Sequence, residues 1–126
     1  MRIIRTKNYE ELSQQAANLI SAYLNILPDC VLGLATGSTP LGTYKKLIEY
    51  NKAGNVNFSD VVTVNLDEYK GLPADNEQSY RYYMNNNLFN HVNIDKKNTH
   101  LPDGMAQDGE KECQAYDELI EELGGI

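Results

Sequence analysis

Two rhythms of apolar and polar residues alternate along this 126-residue chain. Recurrence every three to four positions marks one face of a helix, whereas a short unbroken apolar run marks a buried strand. Arg2–Thr6 is a brief apolar opening that predicts an edge strand. Asn8 then predicts a helix N-cap, with Glu11 three residues on to complete a capping box. Leu12, Ala16, Leu19, Ile20, Tyr23 and Leu27 follow at helical steps and predict the buried face of that helix, which ends at Pro28–Asp29. Cys30–Ala35 is continuously apolar, as expected of a strand covered on both faces.

A second helix is predicted from Pro40, where a missing N–H costs nothing. Leu41, Tyr44, Leu47 and Ile48 would form its inner face, and Gly54 its stop. Val61–Leu66 reads as the next strand, followed by a polar loop from Asp67 to about Gln78 and by a helix opened at Ser79 that carries Tyr80, Tyr83, Met84 and Leu88. Asn98–Leu101 predicts a short strand before a turn at Pro102–Gly104. The last helix places Cys113, Tyr116, Leu119, Ile120 and Leu123 on one face, and Gly124 ends it. Alternating strands and helices with apolar strands predict one α/β domain over residues 1–126: a Rossmann-like open, mostly parallel sheet with helices on both faces. Each strand–helix–strand crossover should then be right-handed.

Composition narrows the function classes. The 41% hydrophobic and 23% charged content is ordinary for a soluble globular chain. A net charge of −7 argues against nucleic acid and anionic membrane surfaces as partners. It leaves room for one small anion, because a local cluster of N–H groups outweighs a distant net charge. No stretch is long and apolar enough to span a bilayer. Cys30 and Cys113 match no metal-ligand spacing and sit in apolar patterns, so buried free thiols in a reducing cytoplasm are expected. His91 and His100 have no partner at metal or triad spacing and read as structural or surface residues.

Chemistry concentrates at two strand ends, where an open parallel sheet binds its ligands. Thr36-Gly37-Ser38-Thr39 lies between the Cys30–Ala35 strand and the helix at Pro40. Gly37 permits a tight turn and close backbone approach, Ser38 and Thr39 offer hydroxyls, and the helix N-terminus offers free N–H groups, which suits a phosphate. A plain capped strand-to-helix turn has the same composition. The loop is neither a Walker loop nor a dinucleotide fingerprint. The second end is Asp67-Glu68-Tyr69: a carboxylate leaving a buried strand between apolar walls is suited to act as a base, although Asp67 as a turn former and Glu68 as a solvated residue fit the same pattern.

Taken together, Leu32-Gly33-Leu34-Ala35-Thr36-Gly37-Ser38-Thr39-Pro40 and Val62-Thr63-Val64-Asn65-Leu66-Asp67-Glu68-Tyr69-Lys70-Gly71-Leu72 resemble the glucosamine-6-phosphate deaminase family. The likeness continues through Glu77-Gln78-Ser79-Tyr80 and His91-Val92-Asn93-Ile94 and so covers essentially the whole chain. The sister 6-phosphogluconolactonases share the loop type but usually carry Asp-Glu-Arg where this chain has Asp67-Glu68-Tyr69. The resemblance implies that Asp67 is the base moving a proton between carbons 2 and 1 of the opened sugar through an enolamine. It implies that Thr36, Gly37, Ser38 and Thr39 hold the 6-phosphate of glucosamine 6-phosphate, and that Glu68 and Tyr69 shape the pocket. No metal or cofactor is called for, and the full-length enzyme is expected to be a cytoplasmic homo-oligomer.

Family members continue past a position like Ile126 into a strand ending in Asn/Asp-Gly-His, then a Glu, assigned to ring opening, and later an Arg and a Lys that neutralise the phosphate. The expectation is therefore an amino-terminal portion of a longer enzyme, nearly inactive alone and prone to self-association through uncovered apolar sheet surface. The alternatives are a lactonase-like enzyme and a non-catalytic sugar-phosphate-binding domain.

Overall fold

The computed structural model describes residues 3–126. It contains an open sheet of three parallel strands with four α-helices, in the order α1 (Tyr9–Ile26), β1 (Val31–Leu34), α2 (Leu41–Lys52), β2 (Val62–Asn65), α3 (Tyr80–Met84), β3 (Thr99–His100) and α4 (Gly109–Glu122). Strand order is β1-β2-β3, with Leu34 opposite Asn65 and Val64 opposite His100. The predicted α/β class and parallel sheet are what the fold has. Each strand is shorter than its apolar run, because β1 and β2 end at Leu34 and Asn65 and the residues beyond turn away as loops. Of the predicted edge strand, Arg2 lies outside the described residues, and Ile3–Thr6 runs without a ladder.

Helix α1 starts as its cap predicts. The Asn8 side chain accepts the Glu11 N–H at 2.8 Å, while the Glu11 carboxylate reaches back to the Lys7 N–H rather than to that of Asn8. Its buried face is not the predicted one. Ser13, Ala17, Ser21 and Leu24 point inward, whereas Leu12, Leu19 (48% exposed) and Tyr23 (53% exposed) face out. The reason is the crossing of α1 with α2. A Cβ on Gly42 would fall 2.2 Å from Ser13 Oγ and 2.9 Å from a Tyr9 ring carbon, so the helices meet backbone to backbone over small side chains. Apolar periodicity alone favours the large residues, but close helix approach selects the small ones.

The main core gathers Ala17 and Leu24 from α1, Tyr44 and Leu47 from α2, Leu34 from β1, Val61 just before β2, and Met84, Leu88 and Phe89. Those last residues lie where α3 runs into a wider π-type turn over Asn85–Phe89, with the Asn90 N–H donating to the Asn85 carbonyl. Such a turn leaves no mark in apolar spacing. Strand β1 is not covered on both faces as expected, since Gly33 is exposed and Val31 and Leu32 are half-buried.

Helix α4 is held at the carboxyl ends of β2 and β3. The Tyr116 hydroxyl lies 2.7 Å from the Asn65 carbonyl and 3.0 Å from that of His100, and can donate to either. Of its predicted face only Tyr116 is buried. Cys113 is exposed and Cys30 half-buried, so the expected pair of buried thiols is not found, although both are free. Gly124, at φ +87°, ends α4 in the left-handed conformation that favours glycine.

Candidate functional site

Because Leu34 pairs with Asn65, the chain leaves β1 and β2 at the same height, and Thr36 and Asp67 both stand two residues beyond that pair. Neighbouring strands are about 4.8 Å apart, so the two loops singled out from sequence emerge side by side on the ligand-binding edge of the sheet.

The first loop is tied down by its carbonyls. The Tyr44 hydroxyl donates to the Ala35 carbonyl at 2.5 Å and accepts the Ala35 N–H at 3.1 Å. Tyr83 donates to the Gly37 carbonyl at 2.5 Å. Tyr9 donates between the Ser38 and Thr39 carbonyls, each 3.0 Å away, and accepts the Gly42 N–H at 2.8 Å. Burial raises the pKa of both Tyr44 and Tyr83, so both remain protonated donors at neutral pH. Gly37 turns at φ +93°, the conformation for which the sequence requires glycine there. Helix α2 has no side-chain cap, so the Ser38 and Thr39 hydroxyls are not spent on it. Among the described residues, the N–H groups of Thr36, Gly37, Ser38 and Thr39 donate to no protein acceptor. Unpaired amides beside a helix N-terminus form an anion-binding concavity.

The second loop is anchored differently. Glu68 accepts the N–H groups of Tyr69 and Tyr80 at 2.8 Å and of Arg81 at 2.9 Å, so its carboxylate fixes the start of α3. Arg81 in turn donates to the Thr99 hydroxyl at 2.7 Å and the Thr99 carbonyl at 3.0 Å, joining α3 to β3. The Gly71 N–H donates to the Gly104 carbonyl at 2.7 Å, and a Cβ on Gly104 would sit 2.3 Å from the Tyr69 carbonyl oxygen. The loop is thus closed against the 102–104 turn. Asp67 takes no part in this frame. It is exposed and, among the described residues, makes no hydrogen bond or ion pair. The apolar walls expected around it are absent, because Leu66 next to it is 82% exposed and Tyr69 50% exposed.

Sequence reasoning passed over Tyr80. Its ring lies 4.7 Å from that of Tyr69, centroid to centroid and tilted by 40°. Its hydroxyl lies 3.3 Å from the Tyr69 hydroxyl, and that hydrogen bond is the largest cause raising its pKa, opposed by Thr36, which lowers it, with the Asp67 charge a smaller raising influence. Tyr80 therefore stands between the two loops. The helical step from Tyr80 to Tyr83 gave it a core role; its place was set by the Glu68 clamp on its own N–H.

Two clefts of about 880 Å³ flank this edge, one lined by Tyr9, Ser38, Thr39, Lys45 and His91 and the other by Glu68, Lys70, Asp103 and Glu112. Ser38 and Thr39 thus line one cleft and Glu68 the other, while Asp67 lines neither. Among the described residues no group of three His, Cys, Asp or Glu side chains converges as a metal site, and no helix is long and apolar enough to cross a membrane.

Comparison with known proteins gives a consistent result. The profile of the family described as glucosamine-6-phosphate isomerases/6-phosphogluconolactonase matches residues 6–125. A glucosamine-6-phosphate deaminase of Lachnoclostridium phytofermentans is 58% identical over 126 residues, all of this chain and 53% of the relative. One from Clostridium tetani is also 58% identical, with 52% of it covered. The chain thus spans about half the length of the curated relatives it matches. A solved structure of a monomeric glucosamine-6-phosphate deaminase superposes with a TM-score of 0.97 at 44% identity, over 100% of this chain and 52% of that one. A 6-phosphogluconolactonase from Thermotoga maritima shares the fold at a TM-score of 0.69 and 22% identity, covering 96% of this chain and 53% of that one.

Proposed function

The chain belongs to the family of glucosamine-6-phosphate isomerases and 6-phosphogluconolactonases, and from that premise we propose that it supplies the phosphate cradle and the enolisation base of a glucosamine-6-phosphate deaminase. The observation that carries the reading is the side-by-side exit of two loops, one with amides and one with a carboxylate that have no partner among the described residues. The Ser38 and Thr39 amides, with Thr36 and Gly37, hold the 6-phosphate, and binding energy from that unreactive end presents carbon 2 to Asp67. Asp67 removes the carbon-2 proton of the opened sugar, leaving the enolamine, and a proton returns to carbon 1. Water adds to the resulting carbon-2 iminium and ammonia leaves, so glucosamine 6-phosphate and one water become fructose 6-phosphate and one ammonia. Tyr69 and Tyr80 line the gap between the loops, and Glu68 holds α3 so that they do. The same loops in a lactonase would receive a sugar-phosphate lactone, but the likeness at 22% identity extends to the fold alone.

The test is ammonia and fructose 6-phosphate formation from glucosamine 6-phosphate. The chain is assayed alone and with the carboxyl-terminal half of the Lachnoclostridium phytofermentans relative added in trans, each with and without Asp67→Asn. The expected result is turnover in the mixture that falls by about a hundredfold to ten-thousandfold in Asp67→Asn. Ammonia release that survives the substitution would overturn the role of Asp67. Hydrolysis of 6-phosphogluconolactone without ammonia would favour the lactonase.

A further inference from the structure

The loop after β1 is gripped by three tyrosines from three helices, and each donates to a carbonyl: Tyr44 of α2 to Ala35, whose N–H it also accepts, Tyr83 of α3 to Gly37, and Tyr9 of α1 to Ser38 and Thr39. This pattern has a geometric consequence. A trans peptide unit is planar, so the C=O of one residue and the N–H of the next point in opposite directions. Tyr83 on the Gly37 carbonyl therefore turns the Ser38 N–H away from α3. Tyr9 on the Ser38 carbonyl likewise turns the Thr39 N–H away from α1. These are two of the amides that find no protein acceptor among the described residues. A hydrogen bond to a carbonyl also polarises its peptide unit and makes the opposite N–H the better donor.

Among the described residues no other hydrogen bond fixes these amides. Residues 37–39 are exposed, Gly37 has left-handed backbone freedom, and no side-chain cap ties the loop to α2. A loop of this kind would have to be ordered by its ligand, which weakens binding, whereas a loop ordered beforehand keeps that affinity. Tyr9 serves both the loop and the N-terminus of α2, since its oxygen accepts the Gly42 N–H. Tyr83 and Tyr9 are also close enough for Tyr9 to help hold the Tyr83 hydroxyl in its protonated, donating form, after burial as the larger cause.

We infer that Tyr83 and Tyr9 are positioning residues that aim the Ser38 and Thr39 amides at a phosphate before it arrives, with Tyr44 as the fixed post at the start of the loop. This rests on the reading of residues 36–39 as the phosphate cradle. The tyrosines do not touch the ligand; they act through the loop carbonyls they hold.

The test follows the backbone amides of Gly37, Ser38 and Thr39 by nuclear magnetic resonance while isotope-labelled chain is titrated with inorganic phosphate and, separately, with glucosamine 6-phosphate. Tyr83→Phe and Tyr9→Phe keep the ring and remove only the hydroxyl. Each is expected to weaken phosphate binding about fivefold to tenfold and to lower the order parameters of Ser38 and Thr39, while the melting temperature stays that of the unchanged chain. In the complemented assay both variants should raise KM with kcat unchanged, because the grip serves ground state and transition state alike. Binding and order parameters unaltered in both variants would overturn the inference and leave the cradle standing. An unchanged chain whose loop amides ignore phosphate would overturn the cradle and the inference with it. If one variant loses its fold, the other, on a different helix, still decides.

Discussion

The loop after β1 and the loop after β2 leave the sheet at the same height yet are held in opposite senses. In the first, tyrosine hydroxyls occupy the carbonyls of Ala35, Gly37, Ser38 and Thr39, and among the described residues the amides of Thr36, Gly37, Ser38 and Thr39 donate to no protein acceptor. In the second, a carboxylate occupies amides: Glu68 takes those of Tyr69, Tyr80 and Arg81, and the carboxylate of Asp67 has no partner among the described residues. One loop is built to present positive partial charge and the other a negative group. Each is rigidified by the class of group that it does not offer a ligand. What is missing also differs, since the first loop is braced from three helices while Asp67 stands beside an uncovered Leu66.

This contrast can be broken from the second loop's side. Gly104→Ala would force a Cβ against the backbone oxygens of Tyr69 and Leu72, which have no room to yield, at 2.3 and 2.9 Å. It should destabilise the chain by about 2–3 kcal/mol in denaturant unfolding, and in the folded fraction it should leave the phosphate response of Ser38 and Thr39 intact. Glu68→Ala releases the backbone N–H groups of Tyr80 and Arg81 at the partly buried start of α3, and that of Tyr69 in the loop, and should cost about 1–2 kcal/mol. The same experiment sharpens the comparison, because it should loosen Tyr80 without loosening Gly37. A shared loss of order in both loops would show them to be one unit.

The smallest effect is a pH dependence. Burial, and then the nearby Arg81 charge, hold His100 below its ordinary value of 6.5. The unfolded chain lacks both influences and takes up a proton as pH falls through 6.5, so stability should decline below that point and level off once the folded value is passed. Melting temperatures compared from about pH 7.5 to about pH 5.5, with His100→Gln losing that part of the decline, would check it.

Much of this was legible in the residues themselves. The Asn8 cap, the Ser79 cap, the apolar β1 and β2, and Gly54 and Gly124 as helix stops all follow from local chemistry that a sequence carries in full. So does the composition of Thr36-Gly37-Ser38-Thr39. The inner face of α1 was not legible, because Ser13, Ala17 and Ser21 are buried by the close approach of Gly42, a partner 29 residues further along the chain from Ser13. Tyr80 was missed for a related reason: its ring is placed by Glu68, which lies 12 residues back on another element.

What the sequence determined by itself is the main helices and the three paired strands, their order, and the two loops at the ends of β1 and β2. These depend on periodicity, capping and backbone freedom within a few residues. Tertiary structure decided which face of each helix is buried, which tyrosines grip the loop after β1, and that Glu68 is a clamp while Asp67 has no partner among the described residues. Each of those is a contact between residues far apart in the chain. Side-chain type limits which contacts are possible, but only the packing of one element on another selects among them.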